Sequence, residues 1–139
     1  MRQAVAADLP SIEKLLSENG LPTDGVAERL STFFVADAGS VGGVIGMELS
    51  GAAAMLRSLV VLGERRKQGL GNALVDYALA QSRKERATAT YLLTNTAADF
   101  AARWGFTQIP RGDIPADLLQ RSALSYACPD TSTCMKLGL

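Results

Sequence analysis

Leu59-Val60-Val61-Leu62-Gly63-Glu64-Arg65-Arg66-Lys67-Gln68-Gly69-Leu70-Gly71-Asn72-Ala73-Leu74 is the stretch that decides the fold of this chain. An apolar strand runs into a basic loop, two glycines follow, and an amphipathic helix begins. A helix start offers amides with no partner inside the helix and about half a positive charge, so it holds an anion without needing a particular side chain. Gly69 and Gly71 carry no Cβ, which lets the backbone curl and lets an anion approach those amides. The alternative for the same residues is a solvated basic turn that merely starts a helix, since short glycine motifs are weak on their own.

Outward from this stretch, the helix is expected from about Gly69 to Arg83, with Leu70, Leu74, Tyr77, Ala78 and Gln81 at helical spacing. Before it, Ala53 to Val61 reads as a strand that is apolar on nearly every residue towards its end, as expected when both faces are covered. After it, Ala89 to Thr94 reads as a second strand, so a right-handed parallel crossover is the expected geometry. A short helix over Ala97 to Trp104, ended by Gly105, comes next.

Upstream, Arg2 to Ala6 reads as a short strand, and Asp8 stands where it would cap a helix carrying Leu9, Ile12, Leu15 and Leu16. Asn19-Gly20 ends that helix. Leu21 to Gly25 forms a turn, and Val26 to Leu30 adds a helical turn or two. Thr32 to Ala38 and Val41 to Leu49, with the strand at Ala53, suggest an antiparallel meander. Towards the C-terminus, Phe106 to Ile109 and Thr133 to Leu137 read as strands separated by a Pro-rich, partly helical excursion. The sum is one mixed α+β domain over residues 1–139, without repeats or linkers.

Composition narrows the function classes. Fourteen Lys plus Arg balance fourteen Asp plus Glu, and aromatic residues make up 6%, so neither a basic face nor a stacking platform for nucleic acid is evident. No apolar run reaches the roughly 18 residues of a membrane span, and no secretory leader is visible, so the expected location is cytoplasmic. Histidine is absent, which removes the commonest general base and metal ligand. Cys128 and Cys134 lack the spacing of zinc knuckles and are expected as reduced thiols.

The quoted stretch resembles motif A of the GNAT N-acetyltransferase superfamily, Arg/Gln-x-x-Gly-x-Gly/Ala after a Leu-x-Val strand. The matching positions are Arg66, Gly69 and Gly71 after Leu59 and Val61. Thr94 to Phe106, a strand end and a short helix closing in Gly105-Phe106, resembles motif B. The resemblance covers most of the chain. It implies a GNAT-like acyl-CoA N-acyltransferase fold, a mostly antiparallel mixed sheet with a splayed central parallel pair and flanking helices. It also implies acetyl-CoA as co-substrate, with no metal. The amides of Arg66, Lys67, Gln68, Gly69, Leu70, Gly71 and Asn72 would hold the pyrophosphate. The backbone of Leu59, Val60 and Val61 would pair with the pantetheine arm. Thr94 and Asn95 would either hydrogen-bond the coenzyme or cap the following helix.

A narrower resemblance is carried by Asn19-Gly20-Leu21-Pro22, Leu56-Arg57-Ser58-Leu59, Tyr91-Leu92-Leu93-Thr94 and the Cys128-Pro129 to Cys134-Met135 tail. These are similar to the second group of arsenic-resistance N-acetyltransferases and, more distantly, to the acetyltransferase domain of N-acetylglutamate synthase. The implied acceptor is a small amino-acid-like amine, including glutamate analogues that bear an arsenic or phosphorus acid. Two thiolates also invite an arsenite-binding reading; the favoured alternative is that they are small buried hydrophobes. Dimers are frequent in the superfamily, so the resemblance allows a homodimer.

The chain departs from the family at two positions. Ala101 stands where many members carry the Tyr that protonates coenzyme A, and Met55 where many carry a Glu. Glu48, on the preceding strand, is the substitute base, the alternative being a surface residue paired with a lysine or arginine. Simple alternation puts Arg57 on the face of Leu59 and Val61, where a guanidinium suits a carboxylate or other oxyacid acceptor; the alternative is an ion pair with Glu48. Tyr126 is a candidate proton donor. A non-catalytic acyl-CoA or amino-acid-analogue sensor is the competing function.

Overall fold

The computed structural model describes residues 1–21, 23, 26–37, 41–62, 69–94, 98–121 and 133–139. Seven strands among them form one mixed sheet: β1 (Arg2–Gln3), β2 (Phe33–Asp37), β3 (Val41–Ser50), β4 (Ala53–Val61), β5 (Ala89–Thr94), β6 (Thr107–Ile109) and β7 (Thr133–Gly138). Their order across the sheet is β1-β2-β3-β4-β5-β7-β6. Four α-helices accompany them: α1 (Leu9–Glu18), α2 (Leu70–Lys84), α3 (Ala98–Ala102) and α4 (Ala116–Arg121). The chain divides into two compact units, Met1–Met47 with Ser58–Gln81, and Glu48–Arg57 with Ser82–Leu139.

In the first unit β1 and β3 flank β2, both antiparallel to it, with Arg2 opposite Val35 and Phe33 opposite Gly46. Neighbouring residues of a strand face opposite ways, so burial of both Phe33 and Phe34 means that β2 is covered on both faces. Phe33 and Val35 pack with Ile12, Leu15 and Leu16 of α1 and with Val44 and Val60. Phe34 meets Tyr77 of α2 edge-on, ring centres 5.2 Å apart. The amphipathic spacing of α1 is what lets a ten-residue helix bury three large side chains. Gly20 ends it at φ +70°, with the Leu21 amide donating to the Leu16 carbonyl at 2.9 Å, the paired C-terminal closure that glycine favours.

The first strand is shorter than the expected Arg2 to Ala6, and Asp8 does not cap α1 with its side chain. Both differences have one cause. The Asp8 carboxylate turns back to accept the Val5 amide at 2.8 Å and two bonds from the Arg2 guanidinium at 2.7 and 2.9 Å. This folds Ala6–Asp8 into a 3-10 turn before α1 begins. Arg2 also donates to Asp37 at 2.9 Å. The hydrogen bonds from Arg2, then the Val5 amide, hold the Asp8 carboxyl below its ordinary 3.8, against the opposing pull of burial.

A group whose folded-state pKa is depressed contributes stability above its unfolded pKa and loses it as pH falls through the folded value. Asp8→Ala should therefore cost about 1 kcal/mol at pH 7, since Arg2 remains part-exposed and can hydrate. The difference from the parent should shrink as pH drops below the ordinary carboxylate range. Urea unfolding of both proteins at pH 7 and near pH 3 checks this.

In the second unit β5 lies parallel to β4, Ala53 opposite Ala89 through Leu56 opposite Leu92, which is the expected crossover partnership. On its other edge β5 pairs antiparallel with β7 over six residues, and β6 closes against β7. Met55, Tyr91, Ile114, Leu118 and Cys134 form its core. Gly105, at φ +96°, turns the chain between α3 and β6.

Candidate active site

The start of α2 is built as the glycine pattern requires. Gly69 adopts φ +75°, a left-handed conformation that costs other residues about 1 kcal/mol or more, and α2 begins at the next residue. Its carbonyl accepts the first helical bond, from Ala73, at 3.1 Å. The amides of Leu70, Gly71 and Asn72 are thus first-turn groups without partners inside the helix, and α2 has the length, 15 residues, for a full macrodipole. Arg66, Lys67 and Gln68 lie outside the described residues. On β4, Val60 is buried while Leu59 and Val61 are half-buried.

Gly43 of β3 lets α2 come close to the strands. A Cβ there would lie 2.9 Å from Leu74 Cδ1 and 3.3 Å from the Val60 carbonyl oxygen. Leu74 can rotate away, but the carbonyl is backbone and cannot. Gly43→Val is expected to destabilise by about 1–3 kcal/mol through overpacking, measured as a lower urea midpoint at an unchanged slope.

Glu48 and Arg57 both belong to the second unit, one at the end of β3 and the other on β4. Arg57 Nη1 lies 3.6 Å from Glu48 Oε1, and the two side chains are 0% and 5% exposed. Glu48 is therefore a buried residue paired with an arginine, not a surface one. The separation exceeds a hydrogen bond, so this is a close ionic contact. Ser58, next in the chain, has φ +58°, left-handed backbone in the middle of β4. That residue breaks the two-residue alternation. Simple alternation therefore does not carry across Ser58 from Arg57 to Leu59 and Val61; Ala54 to Ser58 are all buried, whereas Leu59 and Val61 are half-buried. No local signal in the sequence marks Ser58, because serine is not a residue that advertises positive φ.

Met55 and Ala101 are both buried apolar positions, Met55 within the core of the second unit. Neither brings a titratable group. Thr94 is the last paired residue of β5, opposite Thr133. Asn95, Tyr126 and Cys128 lie outside the described residues. Cys134 is a buried thiol on β7, packed with Met55, Tyr91, Ile114 and Leu118. Among the described residues no group of three His, Cys, Asp or Glu is arranged to hold a metal ion. No helix among them is long and apolar enough to cross a membrane.

The fold is shared widely. The chain aligns over 99% of its length with 98% of the Rv2747 protein of Mycobacterium tuberculosis, solved in complex with CoA and NLQ, at a TM-score of 0.84 and 26% identity. It aligns over the same share with N-acetylglutamate synthase from Neisseria gonorrhoeae complexed with coenzyme A and N-acetyl-glutamate, at a TM-score of 0.86 and 18% identity. There it spans 34% of the partner's length. Ard1 from Thermoplasma volcanium aligns at a TM-score of 0.74 and 21% identity, over 99% of this chain and 95% of that one. No match is found among curated proteins. Residues 29–108, from the 3-10 turn before β2 through the α2 glycines to β6, match the acetyltransferase (GNAT) domain. With that match, the chain belongs to the GNAT acetyltransferase family, as an acetyl-CoA-dependent N-acetyltransferase.

Proposed function

We propose that this enzyme moves the acetyl group of acetyl-CoA to the amine of a small amino-acid-like acceptor, with Glu48 as general base. The observation that carries this reading is the buried Glu48–Arg57 pair, 3.6 Å apart. It offers one carboxylate for an ammonium and one guanidinium for a carboxylate or other oxyacid. The likeness to a protein solved with CoA and NLQ supports coenzyme use, and acceptors related to glutamate, including its phosphorus and arsenic analogues, are the first to test. Arginine at position 57 favours an oxyacid because its planar fork meets two oxygens at once.

In this reading the amides from Arg66 to Asn72 hold the pyrophosphate, with Lys67 and Arg66 adding charge. The backbone of Leu59 to Val61 receives the pantetheine arm, and an amide near Val61 polarises the thioester carbonyl. Thr94 and Asn95 border the coenzyme, and Tyr126 is the donor to the departing thiolate. The enzyme acts in the cytoplasm, with homodimer formation open to direct measurement by sedimentation.

The test is thiol release from acetyl-CoA across a panel of amino acids, including glutamate and its phosphinic and arsenic analogues, with acetyl-CoA binding followed by calorimetry. Release that depends on an amino acid of this class is the expected result. Release only with polyamines or peptide N-termini would overturn the acceptor class.

A further inference from the structure

The C-terminal end of α1 holds a reactive dipeptide in a closed form. Of the three asparagines, Asn19, Asn72 and Asn95, Asn19 alone precedes a glycine. A glycine presents its amide nitrogen with no side chain beside it, so in an open chain that nitrogen can reach the preceding carboxamide and close a cyclic imide. Here both reacting groups are engaged. The Asn19 carboxamide donates from Nδ2 to the Leu15 carbonyl at 2.8 Å, and the Gly20 amide donates to the Ser17 carbonyl at 3.2 Å. Asn19 has ψ 14°, which leaves the Gly20 nitrogen rotated away from the Asn19 side chain, and Gly20 follows at φ +70°. The Leu21 amide on the Leu16 carbonyl completes the closure. Asn19 and Gly20 are nonetheless exposed, within reach of water and hydroxide.

We propose that Asn19 is a site of spontaneous conversion to aspartate and isoaspartate, gated by opening of the last turn of α1. When that turn frays, the bonds to the Leu15 and Ser17 carbonyls break and ψ of Asn19 can turn. Hydroxide takes the Gly20 amide proton, the nitrogen attacks Cγ of Asn19, and the C–N bond of the carboxamide breaks as ammonia leaves with a proton from water. Water then adds to one of the two carbonyls of the imide. Opening at the side-chain carbonyl leaves aspartate, whereas opening at the main-chain carbonyl leaves isoaspartate, with an extra carbon in the backbone. Either product puts a carboxylate at the negative end of α1 and removes the donor to Leu15, so the turn does not close again as before. Because α1 supplies Ile12, Leu15 and Leu16 to the core around Phe33 and Val35, the change weakens the packing of the first unit.

The test follows the full chain at mildly alkaline pH, folded and in guanidinium chloride, by peptide mapping that locates each gain of an acid and by enzymatic methylation of isoaspartate. Acid should appear at Asn19 ahead of Asn72 and Asn95 in both states, and about 10- to 100-fold more slowly folded than unfolded, as for a helix end that opens locally. Ser17→Gly loosens the last turn without altering Asn19 or Gly20, and should speed conversion of the folded chain by about 3-fold. Asn19→Asp, one of the two products, should lower the urea midpoint at an unchanged slope. Equal rates folded and unfolded, or in Ser17→Gly and the parent, overturn the gate. A folded chain that gains acid elsewhere before Asn19 overturns the site, and so does one still unconverted at Asn19 long after the unfolded chain has been consumed. Aspartate without isoaspartate overturns the imide route, and an unchanged midpoint in Asn19→Asp overturns the loss of closure.

Discussion

Arg57→Met should lower the stability of the folded protein by about 3–5 kcal/mol, a large part of the roughly 5–15 kcal/mol that a domain possesses. The thioether fills much of the volume of the arginine stem, so packing is not the main loss. What remains is the Glu48 carboxylate, 5% exposed and deprived of the cation 3.6 Å away. Breaking an enclosed ion pair from one side in this way is strongly destabilising. Urea unfolding at pH 7 should therefore show a much lower midpoint at an unchanged slope. The compensating double variant E48L/R57M should recover most of the loss, because a desolvated ion pair and an apolar pair of similar volume are often close in free energy. A double variant no more stable than Arg57→Met would mean that the arginine contributes through contacts other than this pair.

Glu48→Gln should reduce kcat by about 100- to 10,000-fold at neutral pH while leaving acetyl-CoA affinity within about 2-fold of the parent. The amide keeps the shape and an oxygen acceptor towards Arg57 but cannot take a proton from an ammonium. The coenzyme cradle proposed at the start of α2 contains neither residue, which is why the two measurements should separate. Raising the pH should partly restore the variant, since more acceptor amine is then already neutral, whereas the parent should gain far less. Initial rates of thiol release from pH 6 to pH 10, beside a calorimetric titration with acetyl-CoA, read both effects. A rate within a few-fold of the parent would remove Glu48 from the mechanism and return attention to water as the base.

The sequence by itself determined the order and type of the elements. β4 at Ala53–Val61 and β5 at Ala89–Thr94 agree with the expected strands, and α2 at Leu70–Lys84 differs from the expected helix by a residue at each end. The reason is that apolar periodicity and the glycines that end an element are local properties, written in residues a few positions apart. The glycine-rich start of α2 was legible for the same reason, since Gly69 needs only its own backbone angles to do what its pattern implies. Only the tertiary structure decided that Asp8 turns back to Val5 and Arg2 instead of capping α1, because a second strand and Asp37 place the guanidinium within reach. Only it decided that Gly43 must remain free of a side chain, since the obstacle is the Val60 carbonyl on another strand. The Glu48–Arg57 pair is the clearest case. Both residues were visible as candidates, but their shared burial and 3.6 Å approach belong to the folded chain, and the phase of β4 beyond Arg57 depends on the left-handed Ser58. Side-chain alternation is a local rule that holds until the backbone changes hand, and whether it does is settled by the partners a strand keeps or leaves.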